Sequence, residues 1–212
     1  MRVNLEARAA TAEQRRARTR ERLLDAAETV VVEKGFDGAS IEEFVAAAGV
    51  SRGTFYNYFP TTAALLHALN TRVAEDLDRT LDVLTAHIDD CATRLAATLH
   101  TVVASCMADP VRGWVAMQIA ASRVPRQHTF EDRFAATFRE GVASGRFRDL
   151  DMTAAYTIAF GSIRMTQRDI LGGASLPAHA VQVVALILAA FGVPFDEAQQ
   201  ISRDEAAAAQ KR

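Results

Sequence analysis

A chain of 212 residues, half of them hydrophobic, can bury one large core or two small ones, which excludes wholesale disorder. Its formal net charge of -2 excludes a general polycation, so any affinity for nucleic acid must come from where charges sit. The two cysteines, Cys91 and Cys106, lie on helical stretches without CxxC or Cys/His spacing, which argues against a disulfide framework and for a reducing cytoplasm. The N-terminal stretch is rich in Arg and Glu and lacks an apolar core, so no signal peptide is expected. The most apolar run, 180–193, contains Gln182 and Gly192 and is too short to span a bilayer, so no membrane partner is expected.

Helical spacing dominates and sustained alternation is absent. Residues 1 to about 14 carry no strong apolar stripe and are expected to form a frayed arm. Leu23, Ala27, Val30 and Val31 mark one face of a first helix, which Gly35 closes, with Phe36 packing back beneath it. Ser40 and Glu43 have the spacing of a capping box for a short second helix, 41–48, with Phe44 and either Val45 or Ala48 inward. Gly49 turns the chain. Ser51 caps a third short helix, 52–59, which Pro60 ends. Thr61 or Thr62 then caps a long helix with the stripe Leu66, Leu69, Val73, Leu77, Leu81, Leu84 and Ile88. Breaks at Asp109-Pro110, Arg123-Val124-Pro125, Gly145, Gly172-Gly173, Pro177 and Gly192-Val193-Pro194 divide the remainder into about six more helices. The expected fold is all-α, with about nine or ten helices. Residues 1–60 form an arm and a three-helix head, and 61–212 form a larger helical body.

Two short helices around a glycine turn read as a helix-turn-helix, whose second helix meets DNA with its N-terminal turn. That explains an otherwise odd segment, AAAGVSRGTFYNYF (46–59), in which the poor helix formers Gly53 and Asn57 sit among aromatics. Gly53 would let the backbone approach a phosphate or base edge. Ser51 orients the helix N-terminus, whose amides suit phosphate. Arg52 brings charge and a possible bidentate contact to guanine. Thr54, Tyr56, Asn57 and Tyr58 carry hydrogen-bonding groups, and Phe55 and Phe59, four apart, anchor the helix inward. A short aromatic core helix would explain the two phenylalanines but not their polar companions. Residues 1–60 contain nine Lys/Arg and nine Asp/Glu, so DNA affinity must rest on placement. The run Arg15-Arg16-Ala17-Arg18-Thr19-Arg20-Glu21-Arg22 suits either a phosphate backbone or a solvated helix start.

The order and spacing of Leu23-Leu24-Asp25-Ala26-Ala27, Gly35-Phe36, Ser40, Ala48-Gly49-Val50-Ser51-Arg52-Gly53-Thr54-Phe55-Tyr56, Phe59 and Leu65-Leu66 resemble the DNA-binding head of TetR-family transcriptional regulators. The resemblance covers residues 20–66. It implies a homodimer whose two heads enter successive major grooves of a palindromic double-stranded operator. The family's contact positions fall on Ser40, Ser51, Arg52, Gly53, Thr54, Tyr56, Asn57 and Tyr58, with Ser40 and Tyr56 toward phosphate. Thr62 stands where many members carry lysine, and Phe44-Val45 replaces a more usual Ile-Ala pair.

By the same resemblance, the body binds an effector and dimerises. Helices 151–171 and 177–191 present Ala155, Ala159, Ile163, Val181, Val184, Ala185 and Leu188, which suit either a dimer interface or an internal core; the resemblance favours the former. A largely apolar effector would meet Trp114, Met117, Gln118, Phe134, Phe138, Tyr156 and Phe160, with His100 and Arg164 as polar anchors. The five histidines show no metal spacing; His87 and Cys91, four apart, suit an ordinary pair better than zinc, and no cofactor is expected. No P-loop, HExxH, GxSxG or paired Glu-x-x-His is present, which argues against the rival reading of a helical-bundle enzyme. A DNA-binding regulator without any effector is the remaining alternative, and the large apolar body argues against it.

Overall fold

The computed structural model describes residues 2–35, 38–110, 112–114, 117 and 129–210. Its described residues form ten α-helices and one π-helical turn, and they divide into two compact units, the chain passing from the first to the second after Arg72. No described helix is long and apolar enough to cross a membrane.

The first unit holds α1 (Arg2–Lys34), α2 (Ile41–Ala48), α3 (Arg52–Tyr58) and the start of α4 (Thr62–Thr85). The N-terminal stretch is not a frayed arm: α1 is helical from Arg2. Residues 5–14, LEARAATAEQ, are mostly strong helix formers, so propensity favours the helical course there. Residues 10–18 are accordingly exposed throughout, whereas Leu23, Leu24, Ala27, Val30 and Val31 are buried. Gly35 ends α1, its N–H reaching Val31 O at 2.8 Å; Phe36 lies outside the described residues. The capping box forms as its spacing requires, with the Glu43 carboxylate accepting from the Ser40 amide and the Ser40 hydroxyl accepting from the Glu43 amide. Gly49 takes the left-handed conformation, φ 61°, that ends α2 and starts the turn.

Two internal ties hold this unit together. Arg22 donates to Ala48 O at 2.7 Å, fixing α1 against the end of α2. Arg72 of α4 is gripped by Glu21, Asp25 and Glu28 of α1 at 3.3, 2.7 and 2.6 Å. Ala26, Phe44, Ala48, Phe55, Phe59, Leu65 and Leu69 are buried as well. Thr61, not Thr62, caps α4, accepting from the Ala64 amide at 3.0 Å.

The second unit centres on α5 (Cys91–Ala108), which packs against α6 (Thr129–Ala143), α8 (Ser162–Leu171), α9 (His179–Ala190) and α10 (Phe195–Gln210). Twelve of its eighteen residues are buried, so α5 is enclosed nearly all round. Ile88 does not extend the α4 stripe, because α4 stops at Thr85 and Asp90 caps α5 through the Thr93 amide at 2.9 Å. Asp90 also takes a hydrogen bond from Arg146, which reaches Glu197 at 2.7 Å, joining three segments. Burial alone would raise the Asp90 carboxyl; Arg146 and Thr93 overcome it and hold it at about 2. Between α7 (Met152–Tyr156) and α8 the helix widens into a π turn, Thr157–Gly161, where the adjacent Ala159 and Phe160 are both buried. The spacing of residues gave no sign of this turn.

Candidate nucleic-acid interface and regulatory body

The helix α3 is built to show one face. Phe55 and Phe59 are buried with ring centroids 6.2 Å apart, and this pair fixes the helix from beneath. Burying such rings stabilises the unit by about 2–3 kcal/mol each. Above them, Ser51 caps the helix, accepting from the Thr54 amide at 3.0 Å and lying 2.9 Å from the Thr54 hydroxyl. Arg52, Gly53, Tyr56 and Asn57 are exposed, Tyr56 by 48% despite its ring. Thr54 and Tyr58 are half-buried.

Gly53 has no internal reason to be glycine. A Cβ there would meet only Ser51 Oγ, at an ordinary 3.8 Å, and its φ is not positive. The missing side chain therefore leaves room on the outside of the helix.

Arg52 is not idle in the isolated chain. It pairs with Glu42 of α2 at 2.9 Å, and a hydrogen bond to Tyr56, then Glu42, raises its pKa further. Ser40 is also occupied, since its hydroxyl lies 2.9 Å from Glu43 Oε2. Glu43 in turn binds Lys34; that ammonium and the Ser40 amide and hydroxyl hold its carboxyl at about 2. A phosphate at Ser40 would have to compete with this network. Thr62 opens α4, half-buried.

Sequence reasoning left the arginine run of α1 undecided between DNA and solvent. In the structure Arg15, Arg16 and Thr19 share an open groove of about 900 Å3 with Thr54, Asn57 and Tyr58 of α3. The signal was present in the sequence, but the helical continuation of α1 was needed to place it.

In the second unit the expected effector residues separate. Phe134, Phe138 and Phe160 are buried in an aromatic cluster that Phe147, Tyr156 and Phe191 complete, with centroid separations of 4.7–6.3 Å. They fill space rather than enclose it. His100 is buried too, its Nε2 2.9 Å from the Ser202 hydroxyl, which donates to Val181 O at 2.8 Å. Burial lowers the imidazole to about 4, so it is neutral at ordinary pH and serves as an internal tie. Trp114, Met117, Tyr156 and Arg164 are half-buried, and Gln118 lies outside the described residues.

The expected dimer residues need correcting. Ala155, Ala159, Ile163, Val184, Ala185 and Leu188 are buried inside the chain's own core, and only Val181 is half-buried. A side chain already enclosed has no surface left for a partner. The outward side of the same helices carries Ile158, Met165 and Leu186, exposed by 41, 50 and 58%. With Val183 they line a groove of about 530 Å3. A second described cavity, of about 540 Å3, is polar, with Asp78, Asp82 and Glu140 facing Arg94 and Arg133. Among the described residues no group of three or more His, Cys, Asp or Glu is arranged to hold a metal.

Comparison with known proteins fits this division. A family profile described as bacterial regulatory proteins, tetR family, matches residues 23–69. A second, described as tetracyclin repressor-like, C-terminal domain, matches residues 90–204, more than half the chain. The uncharacterized HTH-type transcriptional regulator YvdT of Bacillus subtilis (strain 168) is 48% identical over 63 residues, 29% of this chain and 30% of that protein. The HTH-type transcriptional repressor DhaR of Mycobacterium sp. (strain GP1) is 32% identical over 66 residues, 31% of this chain and 33% of its own length. The chain thus spans about a third of the length of these curated relatives. The solved structure of RolR in complex with resorcinol is 30% identical, covers 90% of this chain and 95% of its own, and superposes with a TM-score of 0.66.

Proposed function

Since the chain belongs to the TetR family of DNA-binding transcriptional regulators, we propose that it is a cytoplasmic, ligand-responsive repressor that grips a palindromic operator as a homodimer. The observation that carries this reading is the outer face of α3, where Arg52, Gly53, Tyr56 and Asn57 stand exposed over a buried phenylalanine anchor. Arg52 and Asn57 would read base edges, and Tyr56 would bond a phosphate. The domain division we adopt is 1–60 for the DNA-binding head and 61–212 for the effector and dimerisation body. The dimer would form through Ile158, Met165, Val183 and Leu186. It would hold two recognition helices about 34–36 Å apart, one turn of DNA.

The effector in this reading is a small molecule bound beside the half-buried Trp114, Met117, Tyr156 and Arg164. Its binding shifts the spacing of the two heads and lowers operator affinity. Only a ligand with different affinities for the two arrangements can do so. DhaR, by name a repressor, and RolR, solved with resorcinol, support the direction and the kind of ligand.

The test begins with selection of bound sequences from random duplex DNA by the purified protein, read against salt. A palindrome with a steep salt slope is expected. Asn57→Ala should then change the preferred base at one position, whereas Tyr56→Phe should weaken all sequences alike. A selection that returns no common sequence would sink the operator reading. Titration of the complex with small phenols, resorcinol first, then tests release. A complex indifferent to every small molecule that raises the protein's melting temperature would favour a regulator without an effector.

A further inference from the structure

We propose that the N-terminal half of α1 is a second DNA-contacting element, in which Arg15 and Arg16 bind the phosphodiester backbone beside the bases that α3 reads. The inference rests on the recognition role of α3 and extends it.

Three observations converge on it. The first is placement: Arg15, Arg16 and Thr19 form one wall of the groove whose other wall is Thr54, Asn57 and Tyr58. Whatever lies against the outer face of α3 must lie beside these arginines. The second is pairing. Several other basic residues of this unit have partners: Arg22 holds Ala48 O, Arg72 holds three carboxylates, and Lys34 holds Glu43. Among the described residues, no carboxylate pairs with Arg15 or Arg16. The third is orientation. The Arg16 guanidinium lies over the Tyr58 ring, 5.8 Å from its centroid, and Arg20 lies over Phe59 at 5.6 Å. These contacts are of cation–π type and align α1 alongside α3 while leaving the charge of Arg16 uncompensated.

The composition of the groove selects its occupant. The groove offers two guanidinium groups that no described carboxylate neutralises, an amide, a phenol and threonine hydroxyls, with Ala12 as its one purely hydrocarbon side chain in the lining. That set suits an anionic strand, and guanidinium groups bind phosphate with two parallel hydrogen bonds. The apparent waste of a helix with no apolar face, exposed over residues 10–18, is then accounted for. Such a helix does not fold to bury itself; it extends the basic surface beyond the helix-turn-helix.

The experiment compares full-length wild type, Arg15→Gln/Arg16→Gln and Arg15→Lys/Arg16→Lys on the duplex selected by wild type and on a scrambled duplex of equal length. Arg79→Gln, an exposed arginine of the second unit, controls for loss of charge alone. Each lost phosphate contact lowers the slope of log affinity against log salt by about 0.9, so the glutamine pair should lower it by about 1.8 per head. Both duplexes should be affected alike, the base preference should stay unchanged, and the lysine pair should restore most of the slope. Circular dichroism and melting temperature confirm that helicity is kept. An unchanged slope in the glutamine pair, with wild type bound normally, overturns the proposal and leaves the role of α3 intact. A shifted base preference would overturn it too, since Arg15 and Arg16 would then be reading bases. Loss of helicity with a lysine pair that does not restore binding would make the arginines structural and also overturn it. Failure of wild type itself to select a duplex is a failure of the α3 reading instead.

Discussion

The two units of this chain solve opposite problems. The head keeps a face unburied, and it does so with short-range devices: a capping box at Ser40 and Glu43, a left-handed glycine at 49, a serine cap at 51 and two ring anchors beneath α3. The body spends its sequence on enclosure. Its α5 is surrounded, its six aromatic rings close on one another, and its buried polar groups are tied internally, His100 to Ser202 and Gln167 to Val102 O. The lesson is that polarity has different meanings in the two. In the head an exposed polar side chain can exchange its neighbour for a partner, as Arg52 could exchange Glu42; in the body a buried one is already committed.

The sharpest way to break that contrast is to open the body. Phe138 contacts Phe134, Phe147 and Phe191 within the cluster. Phe138→Ala should cost about 3–5 kcal/mol by chemical denaturation, since the cavity it leaves is walled by rings that cannot all move. A loss below about 1 kcal/mol would mean that the cluster collapses freely, and that an effector could be accommodated there after all.

Acid tests the commitment of His100. Its folded pKa is depressed from 6.5 to about 4. Below the higher value the unfolded chain binds a proton that the folded chain refuses, so stability falls as pH drops through this window. The slope approaches about 1.4 kcal/mol per pH unit. It should be read by urea unfolding between those limits, and His100→Gln, which retains a donor for Ser202, should flatten it. An equal slope in that variant would assign the acid sensitivity elsewhere. Asp90 and Glu43 act lower, since their carboxyls, held at about 2, lose their contribution only as pH falls toward that value.

What could be seen in the sequence follows the same contrast. The bounds of α2, the caps at Ser40 and Ser51 and the stop at Pro60 are local signals, carried by a few adjacent residues, and the structure agrees with them. The helical course of residues 2–14 is not legible as an amphipathic stripe, because helix propensity rather than apolar periodicity favours it there. In the body, Ala155, Ile163 and Leu188 have the spacing of a buried face, but periodicity cannot say whether the same chain or another covers it. The π turn at Thr157–Gly161 and the tie between His100 and Ser202 join or displace residues in ways that no local spacing encodes. The charge partners of Arg72, 44 to 51 positions away, were invisible for the same reason.

Gly53 sharpens the comparison from the side of the head. Nothing inside the unit occupies the space of its missing Cβ. Gly53→Ala should therefore raise the melting temperature, by up to about 1 kcal/mol of added stability from helix propensity, while operator affinity falls several-fold. A variant both more stable and equally tight would show that DNA does not approach that backbone. A variant less stable would mean that the head is strained there.

The smallest effect is the most informative about Arg52. Its pair with Glu42 is 60 and 62% exposed, so solvent screens it and it adds little to stability. Yet it places a carboxylate on the guanidinium that DNA would have to claim. Glu42→Gln should leave the denaturation midpoint nearly unchanged and strengthen binding to all duplexes a few-fold, because a negative charge leaves the approaching surface and Arg52 no longer has to exchange partners. If affinity falls instead, and falls most where one position carries cytosine, then Glu42 is accepting a hydrogen bond from that base. The pair would then be a joint reader, with the carboxylate orienting Arg52 toward the neighbouring guanine rather than competing for it. Quantitative binding to the selected duplex and to its single-base variants separates the two, since competition is indifferent to sequence and reading is not.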